Sequence, residues 1–185
     1  MLSPRSVCAV IPTRGNVCVD AIYNSLRIHP EIGEVRFVIG DTPFNRYRVM
    51  LEDSDAQVFF TQDDDCVTDV REVLDAYDPT VIVNAMTPQH AENYRGAQTL
   101  IGFGAIFHRS LVEFAFRAFN WKHDALFYRE SDRIFPTVNP HKTVFPAIEI
   151  LPHASAPDRL WKQPDHNSAR IEMNERIFAI TGIGA

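Results

Sequence analysis

The sequence lacks long hydrophobic runs. No stretch of its 185 residues approaches the roughly 20 apolar residues that a membrane-spanning helix needs. Residues 1–8 also lack the basic and then apolar layout of a secretory signal peptide. We therefore expect a soluble, cytoplasmic protein that is not exported and has no membrane partner.

Cysteine is scarce as well. The chain holds Cys8, Cys18 and Cys66, and no two of them are spaced as CxxC. Their odd number and their spacing argue against a disulfide framework and against a thiolate zinc site. We expect three reduced thiols.

Positive charge is also in short supply. The chain has 18 Lys and Arg against 24 Asp and Glu, a formal net charge of −6, which disfavours binding through non-specific attraction to phosphates. Residues 1–107 hold eight basic and fifteen acidic residues, whereas residues 108–185 hold ten and nine, with five of the seven histidines. The acidic part can hold a metal and the second part an anion; chance and a solvated acidic face are the alternative.

Short apolar runs alternate with helical patterns, which predicts an α/β fold with a mostly parallel sheet flanked by helices, in one domain over residues 1–185. Strands are predicted at 7–12, 35–41, 57–62, 80–85 and 144–151, and residues 100–107 form a further apolar segment. Helices are predicted at 17–27, 69–77 and 110–119, and a last helix is predicted near Ser168. The expected caps are Asn16 for the first helix, Asp69 with Glu72 for the second, and Ser110 with Glu113 for the third. The polar segment 121–167 otherwise lacks a clear pattern.

Three consecutive aspartates, Asp63, Asp64 and Asp65, directly follow the third predicted strand. Ligands of open α/β sheets bind beyond the carboxyl ends of strands. Adjacent carboxylates repel one another there, so a divalent cation is their natural partner. If the stretch is extended, Asp63 and Asp65 share one face. The alternative is an exposed acidic turn that caps the next helix.

Four segments in a fixed order resemble nucleotide-sugar-dependent glycosyltransferases of the A-type fold (GT-A), close to family 2. They are Pro12-Thr13-Arg14-Gly15-Asn16, Asp63-Asp64-Asp65, Gly102-Phe103-Gly104 and Glu130-Ser131-Asp132-Arg133. The aspartates correspond to the DxD motif of that family, and the resemblance covers about residues 5–170. Residues 158–166, DRLWKQPDH, are also similar to small phage-encoded members that attach sugars to modified pyrimidines in DNA.

The resemblance implies a donor site in about residues 1–100 and an acceptor site in about residues 101–185. Asp65 and Asp63 would bind a Mn²⁺ or Mg²⁺ ion that bridges the donor diphosphate. Alternatively, Asp63 would contact the ribose of the donor. The metal stabilises the charge on the departing nucleoside diphosphate. The resemblance also implies that the donor is a UDP-sugar, and UDP-glucose is the candidate we expect first. The remaining residues expected around the donor are Thr13, Arg14, Asp41, Asp64, Gly102, Gly104 and Lys162.

The acceptor hydroxyl needs a base if the reaction inverts the anomeric centre. The resemblance places Asp132 in that role, with Glu130 beside it on an extended segment. If a helix starts here, both are capping carboxylates, and surface acids paired with Arg129 and Arg133 are the alternative. If configuration is retained, Asp132 holds the acceptor instead.

The C-terminal stretch offers histidines and a tryptophan. His166, flanked by Lys162 and Arg170, is our preferred third metal ligand, with His153 as the alternative, because neutral imidazole binds such metals. Lys162 would help to neutralise the diphosphate. Trp161 suits either stacking on a sugar or base, or anchoring of the last helix.

We expect the acceptor to be a 5-hydroxymethyl-pyrimidine in phage DNA, which would place the protein in the host cytoplasm. The 158–166 segment supports this, as do basic residues after position 107: Arg109, Arg117, Lys122, Arg129, Arg133 and Lys142. A glycan, lipid-linked or small-molecule acceptor is the alternative. The oligomeric state stays open.

Three other classes fit the sequence less well. A sugar-nucleotide pyrophosphorylase needs a longer glycine-rich loop after the first strand, where only Gly15 stands. An aspartyl phosphatase would carry its aspartates after the first strand. A structural calcium module would show EF-hand spacing, which the aspartates lack, and would leave Asp132 unexplained.

Overall fold

A computed structural model describes residues 2–94, 99–157, 159 and 162–184. The role predicted for Trp161, and the part of the 158–166 resemblance that falls on residues 158, 160 and 161, lie outside the described residues. The strands of the main sheet are β1 (Val7–Thr13), β2 (Ile32–Ile39), β3 (Val58–Thr61), β5 (Ile82–Ala85), β6 (Ala105–His108) and β7 (His141–Val144). A two-stranded sheet pairs β4 (Cys66–Thr68) with β8 (Ile148–Ile150).

The main sheet has the order β2-β1-β3-β6-β5-β7. Strands β2, β1 and β3 are parallel, β7 is parallel to β5, and β6 runs antiparallel to β3 and β5. This confirms the predicted α/β fold with a mostly parallel sheet. Because β6 is reversed, the residues that precede it lie at the same edge as the carboxyl ends of β1 and β3.

Eight helices are found in the described part of the chain. They are α1 (Asp20–Arg27), α2 (Phe44–Glu52), α3 (Val70–Asp75), α4 (Pro88–Ala91), α5 (Arg109–Arg117), α6 (Ala125–Arg129), α7 (Ser131–Val138) and α8 (His166–Thr181). A 3₁₀ turn spans Pro152–Ser155. The helices lie on both faces of the sheet.

The hydrophobic core has two layers because successive strand residues point to opposite faces. Cys8 and Val10 of β1 belong to one layer, together with buried residues of α2, α5, α7 and α8. Val7, Ala9 and Ile11 belong to the other, with buried residues of α1 and α3. The first layer is rich in aromatic contacts, such as Tyr47 with Phe116 at 4.6 Å between ring centroids. The sheet is therefore covered on both faces, as its continuous apolar strands require.

Several predicted boundaries are wrong by a few residues. Helix α1 begins at Asp20, without a side-chain cap, rather than after Asn16. Helix α5 begins at Arg109, and its capping side chain is His108, not Ser110. The strand predicted at 144–151 is two strands, β7 and β8, separated around Pro146, a residue that cannot donate a ladder hydrogen bond. The Asp69 cap of α3 is confirmed: its side chain accepts a hydrogen bond from the Arg71 amide.

Helices α2, α4, α6 and α7 were not predicted. Polar Asn45, Arg46 and Arg48 interrupt the apolar pattern of α2, although Arg46 is buried. Helix α7 contains Pro136, which normally marks a helix boundary. The pattern fails in α2 because tertiary contacts, rather than helical periodicity, bury the polar side chain of Arg46. None of the described helices has the length and apolarity needed to cross a membrane.

Candidate active site

A cleft of about 550 Å³ opens at the carboxyl edge of β1 and β3, within the size range of small-molecule sites. Most of the predicted site residues line it, namely Thr13, Arg14, Asp41, Asp63, Asp64, Asp65, Gly102, Glu130, Asp132 and His166. Gly104 and Lys162 are not part of its lining. The fold thus brings segments distant in sequence into one cavity.

The loops after β1 and β2 form one end of the cleft. The Thr13 hydroxyl accepts a hydrogen bond from the Gly15 amide at 3.1 Å, and Gly15 has a φ of 77°, a conformation that favours glycine. Arg14 and Asp41 line the cleft from the two loops. Thr13 therefore shapes this turn, and Arg14 and Asp41 present charged groups beside it.

The three aspartates form a turn between β3 and β4. The expectation of an extended stretch is wrong, because Asp64 and Asp65 lie in a turn. The Asp63 amide donates to the Gly102 carbonyl at 2.7 Å, which ties this turn to the segment before β6. All three aspartates nevertheless line the cleft.

Each aspartate has a different environment. The Asp63 side chain is 40% exposed and contacts Arg46. Asp64 is buried and accepts a hydrogen bond from Arg159 at 2.8 Å. Asp65 is 19% exposed, and its oxygen lies 3.9 Å from that same guanidinium. Burial, followed by repulsion from Asp63, raises the pKa of Asp65 to about 6. Asp65 is the carboxylate with the weakest compensation of the three.

This donor set fits a divalent cation shared with a substrate. In the described part of the chain, no three His, Cys, Asp or Glu side chains converge closely enough to hold a metal alone. Mg²⁺ and Mn²⁺ sites that act on phosphates commonly take only one or two protein carboxylates, and the substrate supplies the rest. Asp65 and the exposed Asp63 meet that requirement.

Arg46 on α2 is the central charged residue that the sequence analysis missed. Its side chain is only 2% exposed, and its Nη2 lies 2.5 Å from Asp63 Oδ1 and 3.2 Å from Asp132 Oδ2. Nη1 donates to the Thr61 hydroxyl at 3.3 Å. Burial alone would lower the pKa of Arg46, but Asp132 and Asp63 outweigh it and raise the pKa. Arg46 therefore connects the aspartate turn to the predicted base.

Asp132 lies in the first turn of α7, so the helix-start alternative is correct for its backbone. Its Oδ1 accepts a hydrogen bond from the Tyr47 hydroxyl at 2.8 Å, and Oδ2 pairs with Arg46. Burial raises the pKa of Asp132, and Arg46 opposes this. Its side chain remains 29% exposed and lines the cleft. The carboxylate is thus held in place with access to a ligand.

The two histidines lie in different surroundings. His153 Nε2 is 2.7 Å from the Asp64 carbonyl, next to the aspartate turn. His166 begins α8, and burial followed by Arg170, Arg129 and Arg133 lowers its pKa. Three guanidinium groups near His166 oppose a cation there. The geometry therefore favours His153, the alternative from sequence, as the histidine nearer to a metal on the aspartates.

The two glycines of the 102–104 segment differ in role. A Cβ added at Gly102 would collide with the Asp63 carboxylate. Gly104 has a φ of 127°, and its Cβ would lie 3.3 Å from the Phe60 ring. Gly104 lies in the tight turn before β6, where its amide donates to the Ile101 carbonyl at 3.1 Å. Lys162 donates to the Ser155 carbonyl on the surface.

Gly102→Ala is expected to displace the Asp63 carboxylate without unfolding the protein, because the backbone of Gly102 lies outside the left-handed region. We expect nucleotide binding in the presence of Mn²⁺ to weaken about tenfold, since overpacking typically costs about 1–3 kcal/mol. Calorimetric titration measures this. Gly184→Ala is the matched control, because a Cβ there meets nothing within 4 Å. Equal affinities for the two variants would contradict a ligand role for Asp63.

Comparisons with known proteins define the fold. No protein-family model matches the chain, and no curated protein matches it. Among solved structures, it is similar to a mannosyltransferase from Pyrobaculum calidifontis in complex with GDP-Man and Mn²⁺. The TM-score is 0.58 at 15% identity, over 95% of this chain and 67% of that chain.

Weaker similarities exist to two further structures. One is A197 from STIV, with a TM-score of 0.49 and 17% identity over 75% of this chain and 81% of that one. The other is 4-diphosphocytidyl-2C-methyl-D-erythritol synthase from Anaerococcus prevotii. Its TM-score is 0.47 at 13% identity, over 90% of this chain and 95% of that chain. At such identities the likeness concerns the fold alone, and the fold argument rests on the mannosyltransferase. It supports the expected GT-A-like architecture.

Proposed function

We propose that the protein is a metal-dependent glycosyltransferase that moves a sugar from a nucleotide-sugar donor to a hydroxyl acceptor. One observation carries the proposal: the Asp63–Asp65 turn and Asp132 face one cleft at the sheet edge, and Arg46 pairs with both sides. Donor and acceptor chemistry would thus meet in one cavity. The similarity to a mannosyltransferase fold supports this function.

On the donor side, Asp65 and Asp63 would hold Mn²⁺ or Mg²⁺ together with the donor diphosphate. The metal, when bound, stabilises negative charge on the leaving diphosphate. Asp64 fixes the turn through its pair with Arg159, and Gly102 leaves room for the Asp63 carboxylate. Thr13, Arg14 and Asp41, at the β1 and β2 end, would surround the nucleoside.

On the acceptor side, Asp132 would accept the proton of the attacking hydroxyl. Tyr47 and Arg46 fix the orientation of its carboxylate, and Arg46 favours the ionised form that a base requires. Glu130 lies two positions before Asp132 in the chain. It is buried and lines the same cleft. We assign it to the acceptor rather than to the metal. If configuration is retained, Asp132 would hold the acceptor in the same geometry.

UDP-glucose is the donor we propose first, with GDP-mannose as the alternative because the mannosyltransferase structure contains GDP-Man. The acceptor we propose is a 5-hydroxymethyl-pyrimidine in DNA. Several of the basic residues invoked for DNA are used within the protein: Arg109 and Arg117 donate to the Leu51 carbonyl, and Lys122 pairs with Asp124. Among the basic residues invoked for DNA, Arg129 and Arg133 line the cleft and are the ones placed to contact an acceptor there.

Thermal unfolding with UDP, GDP and ADP, each with and without Mn²⁺, tests the proposal. A ligand that binds the folded state at about 100 times its Kd adds roughly 2.7 kcal/mol of stability. We expect a shift with one nucleotide that requires Mn²⁺, followed by sugar transfer to hydroxymethylated DNA detected by mass spectrometry. Asp132→Asn should keep the shift and lose the transfer. No shift with any nucleotide would contradict the donor site and favour a structural metal site.

A further inference from the structure

A second group of charged residues lines the cleft away from the aspartate turn. It is formed by Arg129 and Glu130 at the end of α6, Arg133 on α7, and His166 and Arg170 on α8, and we call it the arginine corner. Arg129 is already paired with Asp165, at 2.6 and 3.0 Å. Arg129 also lies 3.4 Å from the Glu130 carboxylate, so Arg129, Arg133 and Arg170 face only the two carboxylates of Asp165 and Glu130. The corner therefore carries an excess of positive charge.

The positive charges in the corner lie close together. Burial, and then the neighbouring Arg170, lower the pKa of Arg133. Arg133 Nε donates to the Asn174 side chain at 3.0 Å, which fixes this guanidinium on α8. Holding two guanidiniums together against their repulsion is costly unless an anion joins them.

Four buried polar atoms in the corner have no hydrogen-bond partner among the described residues: Arg129 Nε, Glu130 Oε1, His166 Nδ1 and Arg170 Nε. Arg129 Nε and Glu130 Oε1 form an ion pair at 3.4 Å, whereas His166 Nδ1 and Arg170 Nε have no such partner in the described part of the chain. His166 is only 9% exposed, and its ring lines the cleft. Buried polar groups are normally satisfied, and a group of exceptions in one cavity indicates a missing ligand. That ligand must accept hydrogen bonds from an arginine and offer a donor to a carboxylate.

Helix α8 adds to the positive potential. It is 16 residues long, it begins at His166, and its N-cap residue Asp165 makes no side-chain cap. The Asp165 carboxylate instead forms an ion pair with Arg129. An uncapped helix N-terminus attracts anions through its free amides and its dipole.

The arginine corner is distinct from the donor end of the cleft. The charges that act on Asp65 are Asp63, Arg159, Asp64 and His153, whereas those that act on His166 are Arg170, Arg129, Arg133 and Asp165. Asp132 lies between the two groups, since both Asp63 and Arg170 act on it. An anion in the corner would therefore lie on the acceptor side of the predicted base.

We propose that the arginine corner binds a phosphate group of the acceptor. This inference rests on the proposed function and adds the substrate class: a hydroxyl compound that carries a phosphate, as a nucleotide of DNA does. The phosphate oxygens would accept from Arg133, Arg170 and the α8 amides, and a hydroxyl of the acceptor would donate to Glu130. Positioning by the phosphate would direct the reacting hydroxyl toward Asp132.

Calorimetric titrations with inorganic phosphate and with Mn²⁺–UDP or Mn²⁺–GDP, at constant ionic strength, test the proposal. For Arg170→Gln we expect at least tenfold weaker phosphate binding and nucleotide binding within twofold of wild type. Arg133→Gln is a second variant with the same expectation. Arg27→Gln, which removes the same charge from the exposed last turn of α1, is the matched control and should leave both affinities unchanged.

Two results would overturn the proposal. One is phosphate affinity that stays the same in Arg170→Gln and Arg133→Gln. The other is an equal loss of nucleotide affinity, which would assign the corner to the donor diphosphate. Failure of the proposed function is separate: wild type would bind no nucleotide, while the phosphate titration still reports on the corner.

The source of the phosphate can be read from a second pair of titrations. These use 5-hydroxymethyl-dCMP and a short single-stranded oligonucleotide that contains the same base. Tighter binding of the oligonucleotide, lost in Arg170→Gln, supports a DNA phosphodiester. Tighter binding of the monophosphate, lost in the same variant, supports a free phosphate ester. Binding of either probe that Arg170→Gln leaves intact counts against the proposal.

Discussion

Replacing Arg46 by methionine is expected to lower the free energy of unfolding by about 3 kcal/mol, the lower end of the range for breaking a buried ion pair, because Arg46 is buried but both carboxylates are partly exposed. The substitution removes the buried guanidinium that neutralises both Asp63 and Asp132, whose side chains are 40% and 29% exposed. It also removes the hydrogen bond to Thr61 inside the sheet. Urea unfolding at neutral pH measures the loss.

The control for Arg46 is Arg36→Met. Arg36 pairs with Glu34 at 2.7 Å, but both side chains are substantially exposed, and such pairs contribute about 0–1 kcal/mol. A double variant, Arg46→Met with Asp132→Asn, should recover part of the lost free energy of unfolding, because it removes one of the two carboxylates that no longer have a counter-charge. A loss below about 1 kcal/mol for Arg46→Met, or no recovery in the double variant, would contradict the network.

The parts of the fold that sequence predicts best are those with a simple apolar pattern. Strand β1 and strand β3 read as continuous apolar runs and were located within a residue or two, because both faces of the sheet are covered. The Asp69 cap was found from its side chain alone. These features depend on neighbours in sequence, so the sequence contains the information.

Helix α2 shows why the rest was missed. Its buried face includes Arg46 and Tyr47, and a pattern search treats a buried arginine as a surface residue. Burial of Arg46 is stabilised by Asp63 and Asp132, which are 17 and 86 positions away along the chain. The contact between them is tertiary, and one sequence carries no direct sign of it. The excess of carboxylates in residues 1–107 was the available clue that a buried cation was needed.

The residues of the candidate site also divide into those that the sequence predicts and those that depend on tertiary contacts. The aspartates 63–65 were recognised as candidates because they follow a strand of an α/β sheet, Asp132 was recognised through the family resemblance, and the cleft contains them all. The placement of His166 among arginines was not foreseen, because α6 and α7 were not predicted. Its ligand role therefore stays a prediction that the surrounding charge disfavours.

Replacing Asp65 by asparagine is expected to make the metal-free protein more stable and to lower the proposed sugar transfer strongly. Burial and the two neighbouring aspartates oppose the Asp65 charge, and Arg159 is nearer to Asp64 than to Asp65. Removal of that charge should raise the free energy of unfolding by about 1–2 kcal/mol, given roughly 1.4 kcal/mol per pKa unit. Because Asp65 is a ligand of the metal in the proposed function, its loss should lower the proposed sugar transfer at least about 100-fold.

The matched control is Asp64→Asn, one position away in the same turn. Asp64 is buried and pairs with Arg159 at 2.8 Å, so its replacement should cost about 3 kcal/mol. The two variants thus change stability in opposite directions, although each removes one negative charge. Thermal unfolding without metal, followed by nucleotide titration with Mn²⁺, separates them. If Asp65→Asn instead destabilised the metal-free protein and kept Mn²⁺-dependent nucleotide binding, the aspartate turn would be a structural element and the donor site would have to lie elsewhere.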